Sequence, residues 1–220
     1  MFHNTPKSRE AKRIPLAERF KSPQGEGVFT GVMMGFIRTV GCSVGQTVCT
    51  HCDTQFDRTY PERGGGLYTP HEIAEWVEPL KYACITGGEP FDRNLEDLVH
   101  ELGRHQISCH FESSGTKPIP DWFVWSNSWL CISPKPGFLE DVVLHADEVK
   151  IIYQGLGDGP GWPTLADAKR WAALHKIVYL QPRNFEHQVN TEALQEVIDV
   201  VAQNPELRIS AQLHKFLQVR

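Results

Sequence analysis

"KYACITGGEPFDRNLEDLVHEL", Lys81 to Leu102, holds the unit from which the fold can be read. Residues 82–86 form a short, largely apolar run of strand length, Gly87 and Gly88 end it, and Leu95, Leu98, Val99 and Leu102 then recur at helical spacing. Just upstream, "TPHEIAEWVEPL" offers Thr69 as an N-cap, Pro70 in the first turn and Glu72 three residues on, followed by Ile73, Trp76, Val77 and Leu80 on one helical face. The same alternation continues downstream. Strands are expected over 108–112, 129–133, 148–152, 177–181 and 207–211, and helices over 164–175 and 191–203. With "MMGFIRT" (33–39) this makes about seven strands. Strand-helix alternation argues for a parallel sheet with covering helices, either an open doubly wound sheet or a partial (β/α) barrel. In both, chemistry gathers at the C-terminal strand ends. Those ends are polar here: Arg38-Thr39, Thr86 to Glu89, Glu112 to Gly115, Ser133 to Lys135, Lys150, Gln181, and Gln212 with His214. "ERGGGLY" and "YQGLGDGPGWP" read as loops.

At 220 residues the chain fits one domain, 1–220, with 1–15 as an N-terminal extension. The net charge of −5 and the lack of a long basic run argue against direct nucleic-acid binding and for a small-molecule partner. The first twenty residues lack a signal peptide's apolar stretch, and no later segment approaches membrane-spanning length, so a soluble, cytoplasmic protein is expected. The six cysteines do not form the evenly spaced frame of a secreted disulfide protein, which favours a reducing compartment. Cys84, Cys109 and Cys131 lie in apolar runs and read as small core residues.

Cys42, Cys49 and Cys52 are different, because they crowd into one loop after "MMGFIRT", among Ser43, Gly45, Thr47 and Thr50. Three thiolates without a clear fourth ligand can hold an iron–sulfur cluster or a zinc ion with one open position. A redox Cys-x-x-Cys pair or inert thiols are the remaining readings. Cysteines after one strand and "TGGEP" after the next resemble the radical S-adenosylmethionine superfamily, whose usual spacing is Cys-x3-Cys-x2-Cys; here it is Cys-x6-Cys-x2-Cys. "SPQGEG", "FIRTVGC", "CDTQF", "TGGEP", "ESSG", "SPKP", "YLQP" and "SAQLHKFLQVR", in that order from about residue 22 to the last, together resemble the 7-carboxy-7-deazaguanine synthase family.

That resemblance implies a partial (β/α) barrel of mainly parallel strands and contraction of 6-carboxy-5,6,7,8-tetrahydropterin to 7-carboxy-7-deazaguanine with loss of ammonia, in queuosine and 7-deazapurine biosynthesis. It implies a [4Fe-4S] cluster on Cys42, Cys49 and Cys52, with S-adenosyl-L-methionine on its open iron as the source of a 5'-deoxyadenosyl radical that is re-formed after each turnover. Mg2+ would sit on Thr54. The cofactor would be lined by His51, Asp53, Gly87, Gly88, Glu89, Ser114, Ser133, Pro134, Lys135, Gln181 and Pro182. The pterin would meet Pro23, Gln24, Gly25, Glu26, Arg38, Thr86, His214 and the terminal Arg220. A homodimer and an electron donor such as a flavodoxin are also implied, without direct nucleic-acid or membrane contact.

Taken singly, these residues have plainer readings. "PQGEG" could be a surface turn, Arg38 an ordinary ion pair, Thr54 a turn residue, and His214 a structural histidine. Two rival functions remain at this point: a glycyl-radical activase of the same superfamily, which has no evident use for "PQGEG" or the C-terminal block, and a zinc-stabilised metabolite-binding module, which would be colourless where an iron–sulfur protein is brown.

Overall fold

The computed structural model describes residues 12–45, 47–49, 52, 54–153, 159–174, 176–184 and 188–219. They form one nine-stranded sheet: β1 (Ile14–Pro23), β2 (Met33–Thr39), β3 (Gly66–Tyr68), β4 (Tyr82–Gly87), β5 (Ser108–Ser113), β6 (Trp129–Ile132), β7 (Glu148–Tyr153), β8 (Ile177–Pro182) and β9 (Arg208–Ile209). The order is β3-β1-β2-β4-β5-β6-β7-β8-β9. Strands β2 to β9 run parallel, while β1 pairs antiparallel with both β2 and β3. Among the described strands β9 does not pair with β3, so the sheet is open. Its two sides still meet: Leu213 N–H donates to the Gly25 carbonyl at 2.7 Å and Gly27 N–H to Ser210 Oγ at 3.3 Å. This curl across the gap makes it the partial barrel expected above.

The strand periodicity sorts every side chain to one face. Ile37, Ala83, Ile85, Cys109, Phe111, Leu130, Ile132, Val149, Ile151, Val178 and Leu180 face outward into the main core. There they meet α1 (Pro70–Val77), α2 (Glu96–Arg104), α5 (Leu165–Ala173) and α6 (Thr191–Gln203), with shorter helices α3 (Asp121–Val124), α4 (Glu140–His145) and α7 (Leu213–Leu217) completing the set. The alternate positions Phe36, Arg38, Thr86, Glu112, Lys150 and Gln181 face the hollow of the barrel. Met34, Phe36 and Cys84, packed with Phe20 and Phe29, close its lower end on the β2–β4 side.

The capping signal at Thr69 is present in full, with Thr69 accepting from Glu72 N–H while the Glu72 carboxylate accepts from Thr69 N–H. Thr69→Ala should therefore lower stability by about 1 kcal/mol, read as a shift of the urea midpoint at constant slope.

Several expectations need correction. "MMGFIRT" is the second strand, because Ile14, placed in an N-terminal extension, opens β1; residues 1–11 lie outside the described residues. Strand β1 escapes a period-two reading because a bulge between Leu16 and Glu18 shifts its phase. "ERGGGLY" contributes the short edge strand β3, and the strand expected over 207–211 shrinks to Arg208–Ile209. Cys84, Cys109 and Cys131 are buried as expected.

Candidate active site

The polar strand ends converge on one cavity of about 510 Å³. The cysteine loop follows β2 and is anchored at its root, where Gly41 N–H donates to the Phe56 carbonyl at 2.7 Å and Glu89 N–H to the Gly41 carbonyl at 3.3 Å. Cys42, Cys49 and Cys52 all face the cavity; the first two are half-buried and the third is exposed. Burial raises the Cys49 pKa, while the nearby Lys135 opposes that rise. Three accessible thiols from one loop, beside a cation and at the mouth of a cavity, suit a cluster with one open position.

The "TGGEP" turn lies directly against this loop. A Cβ on Gly88 would come within 1.5 Å of the Gly41 carbonyl oxygen, so only glycine permits the approach. Glu89 is buried, and its carboxylate accepts from Ser113 Oγ at 2.8 Å, from Ser114 N–H at 2.9 Å and from the Ser114 hydroxyl. It locks the turn to the end of β5. Ser133 and Lys135 form a second rim, with Lys135 Nζ donating to Ser133 Oγ at 2.7 Å; Pro134 between them is buried and Pro182 lines the cavity. Burial lowers the Lys135 pKa.

Opposite the thiols, "PQGEG" is no surface turn. Gln24 is buried and Glu26 is half-buried inside the barrel. Lys150 Nζ donates to a Glu26 carboxylate oxygen and, at 3.0 Å, to Glu112 Oε1. Gln212 Nε2 and Gln181 Nε2 donate to the other Glu26 oxygen at 2.6 and 3.1 Å. Gln24 Nε2 and Thr86 Oγ1 donate to Glu112, each at 3.2 Å. Burial opposes charge on all three ionisable groups, yet their proximity prevails. Lys150 brings Glu112 down to about 2 and lowers Glu26, while Cys131, Glu112 and Glu26 raise Lys150. Gln181, expected beside the cofactor, lines the same cavity and touches Glu26 and Ser210, whose hydroxyl donates to Gln181 Oε1 at 2.8 Å.

Arg38 and Thr54 share one corner, with an Arg38 guanidinium N–H donating to Thr54 Oγ1 and Arg38 Nε paired with Glu18 Oε1 at 3.1 Å. His214, on α7, lines the cavity against Gly25. His51, Asp53 and Arg220 lie outside the described residues. Sequence reasoning noted Glu112, Lys150 and Gln212 only as polar strand ends and assigned them no role. For Glu112 and Lys150 the available signal was their phase, since both share the inward register that Arg38 and Thr86 occupy; Gln212 lies beyond β9, in left-handed backbone at the start of α7, and had no such signal. Trp162, Arg183 and Asn184 also line the cavity and carried no signal.

No family model matches the chain. It is 34% identical over 210 residues to a 7-carboxy-7-deazaguanine synthase of Bacteroides thetaiotaomicron, covering 93% of this chain and 98% of that protein. It is 32% identical to the enzyme of the same name from Synechocystis, covering 94% and 93%. Among solved structures, QueE from Escherichia coli superimposes with a TM-score of 0.70 at 25% identity, covering 92% of this chain and 95% of that one. Sequence and fold agree along nearly the whole length, and the chain belongs to the 7-carboxy-7-deazaguanine synthase family.

Proposed function

We propose that this chain, acting over 1–220 as one radical S-adenosylmethionine domain, is a lyase that converts 6-carboxy-5,6,7,8-tetrahydropterin to 7-carboxy-7-deazaguanine with loss of ammonia. The observation that carries this reading is the shared cavity, with three thiols and the glycine turn on one wall and the Gln24–Glu26–Glu112–Lys150 network on the other. Cys42, Cys49 and Cys52 would hold the [4Fe-4S] cluster. When bound, cluster and S-adenosyl-L-methionine together supply the radical that starts the ring contraction.

The chain's own residues position the reactants. The backbone around Gly87 and Gly88 admits the methionyl end of the cofactor, and Ser114, Ser133 and Lys135 offer polar groups along it. Glu26 and Gln24 present a carboxylate and an amide, which match the donor and acceptor edge of a pterin. Lys150 holds Glu26 and Glu112 ionised and in place. Arg38 has the fork geometry that recognises a carboxylate, and the substrate carries one. This network is the feature that a glycyl-radical activase would not need, and half-exposed thiols beside it disfavour a purely structural zinc.

The deciding experiment is anaerobic. Reconstituted protein is incubated with dithionite, S-adenosylmethionine, Mg2+ and the pterin, beside a Cys49→Ala control, and 7-carboxy-7-deazaguanine is followed by mass spectrometry. Product that vanishes in the control is expected. A full cluster that cleaves the cofactor without product would reject this substrate.

The same reading puts Mg2+ on the Thr54 hydroxyl with substrate oxygens and water completing its shell. Thr54 lines the cavity next to Arg38, which supports the placement. Thr54→Val should abolish the stimulation of turnover by Mg2+ while cluster content is unchanged; a variant with the wild-type Mg2+ response would remove the ion from Thr54. A homodimer and a flavodoxin-type donor belong to this proposal too. Exposed Phe216, Leu217 and Val219 offer an apolar face for a second copy. Sedimentation and donor-dependent turnover are the measurements that test them. No helix among the described residues is long and apolar enough to cross a membrane.

A further inference from the structure

Below the layer that carries Glu112 and Lys150, the inward positions of three adjacent strands hold a second polar group. His110 of β5, Cys131 of β6 and Glu148 of β7 are 1%, 0% and 0% exposed, and their ligand atoms all lie within 4.8 Å of one another. His110 Nε2 and Glu148 Oε1 are 3.9 Å apart. Neither ring nitrogen of His110 and not Glu148 Oε1 has a hydrogen-bond partner among the described residues. Buried polar atoms are almost always paired, and a barrel layer at this depth is normally apolar. The other Glu148 oxygen accepts from Val28 N–H at 2.8 Å, which leaves Oε1 directed at His110. Phe29 packs over His110 with ring centroids 5.1 Å apart and meets Trp129 edge-on at 5.3 Å, sealing the group from below.

We propose that His110, Cys131 and Glu148 bind a zinc ion inside the barrel, beneath the substrate cavity and separate from the cysteine loop. The donors decide the metal class: nitrogen, sulfur and oxygen together suit zinc, whereas magnesium and calcium avoid sulfur. Charge fits as well. One dication balances a thiolate and a carboxylate beside a neutral imidazole, so the site is neutral overall and compatible with full burial. Burial is the largest cause that drives each group to its uncharged form, raising Cys131 and Glu148 and lowering His110 to about 4, and the neighbouring Glu148 raises Cys131 further. Zinc reverses this for the thiol and the acid and releases their protons. Tetrahedral bonding requires donor–donor edges of about 3.3–3.7 Å, which the His110–Glu148 edge already approaches. One position remains for water.

The second trio of this kind, His71, Glu101 and His105, is on the surface and is satisfied without metal: Glu101 pairs with Arg104 at 2.6 Å and His105 with Glu78 at 2.8 Å. In the interior trio Cys131 shares a hydrogen bond with Glu148, but both His110 ring nitrogens and Glu148 Oε1 are left unpaired among the described residues. Because Glu148 holds Val28, two residues from Glu26, the ion would also brace the strand connection that delivers Glu26 to the cavity.

The test uses the anaerobically reconstituted enzyme, equilibrated with Zn2+ and passed through a chelating resin. Metals are counted by mass spectrometry and zinc is examined at its X-ray absorption edge. The expected result is about one zinc per chain beside the cluster iron, with one sulfur at about 2.3 Å and nitrogen or oxygen at about 2.0 Å. Cys131→Ser and His110→Gln should each weaken zinc retention more than about tenfold with iron unchanged. No retained zinc, zinc with three sulfurs (the cysteine loop), zinc with no sulfur (the surface trio), or retention indifferent to both substitutions would each overturn the proposal. The wild-type edge spectrum decides even where a variant fails to fold.

Discussion

Lys150→Met is expected to cost roughly 3–5 kcal/mol of unfolding free energy, because it removes the cation from between two carboxylates that stay in the barrel. The side chain of Lys150 is 5% exposed, against 16% for Glu26 and 22% for Glu112. Neither carboxylate is wet enough to dissipate its charge easily. Glu112→Gln added to Lys150→Met should recover part of the loss, since it removes one uncompensated charge while keeping an acceptor for Thr86. Anaerobic urea titrations of the three proteins provide the measurement. A Lys150→Met midpoint equal to the wild type would mean that water already screens the network. The pH dependence has a definite sign. Glu26 and Glu112 have folded pKa values below their ordinary 4.5, so their contribution is complete above that pH and is lost as pH falls toward about 2 for Glu112. Lys150 is raised above its ordinary 10.5, so its contribution is complete below that pH and is lost only as pH rises through the folded value. The wild type should therefore hold this contribution between those limits, and Lys150→Met should lose the alkaline step.

Gly88→Ala should reduce product formation by about 100-fold or more, the penalty typical of misplacing reacting groups by an ångström. The added methyl cannot be absorbed by a rotamer change, since it meets the backbone oxygen of Gly41 and then Cys42 Cβ at 3.0 Å. Either the turn or the cysteine loop must move. Iron content and product rate together separate the two: iron near the wild-type level with lost turnover points to a displaced cofactor wall, and lost iron to a displaced loop. Wild-type turnover would show that the two segments do not need this contact.

The sequence alone was enough to identify α1, since Thr69, Pro70 and Glu72 act within one turn and need nothing distant. It likewise identified α6 and the parallel strands β2 and β4 to β8, because short apolar runs ended by polar or glycine-rich turns are local signals. The thiol loop and "TGGEP" were legible for the same reason. Strand β1 was not, because its bulge breaks the alternation and its partners, β2 and β3, confirm it only through pairing. Which residues share the cavity depends on register. Lys150 and Glu112 are 38 positions apart and Gln212 and Glu26 are 186, so no local pattern reports their contact. The turn reading of "PQGEG" failed on the same ground, since only the packing of Gly25 against α7 turns it inward. Composition and spacing dictated the elements and the chemistry available to them. The curl of the sheet decided which side chains face inward together, because hydrogen-bonded register, a long-range property, sets the layer each one occupies.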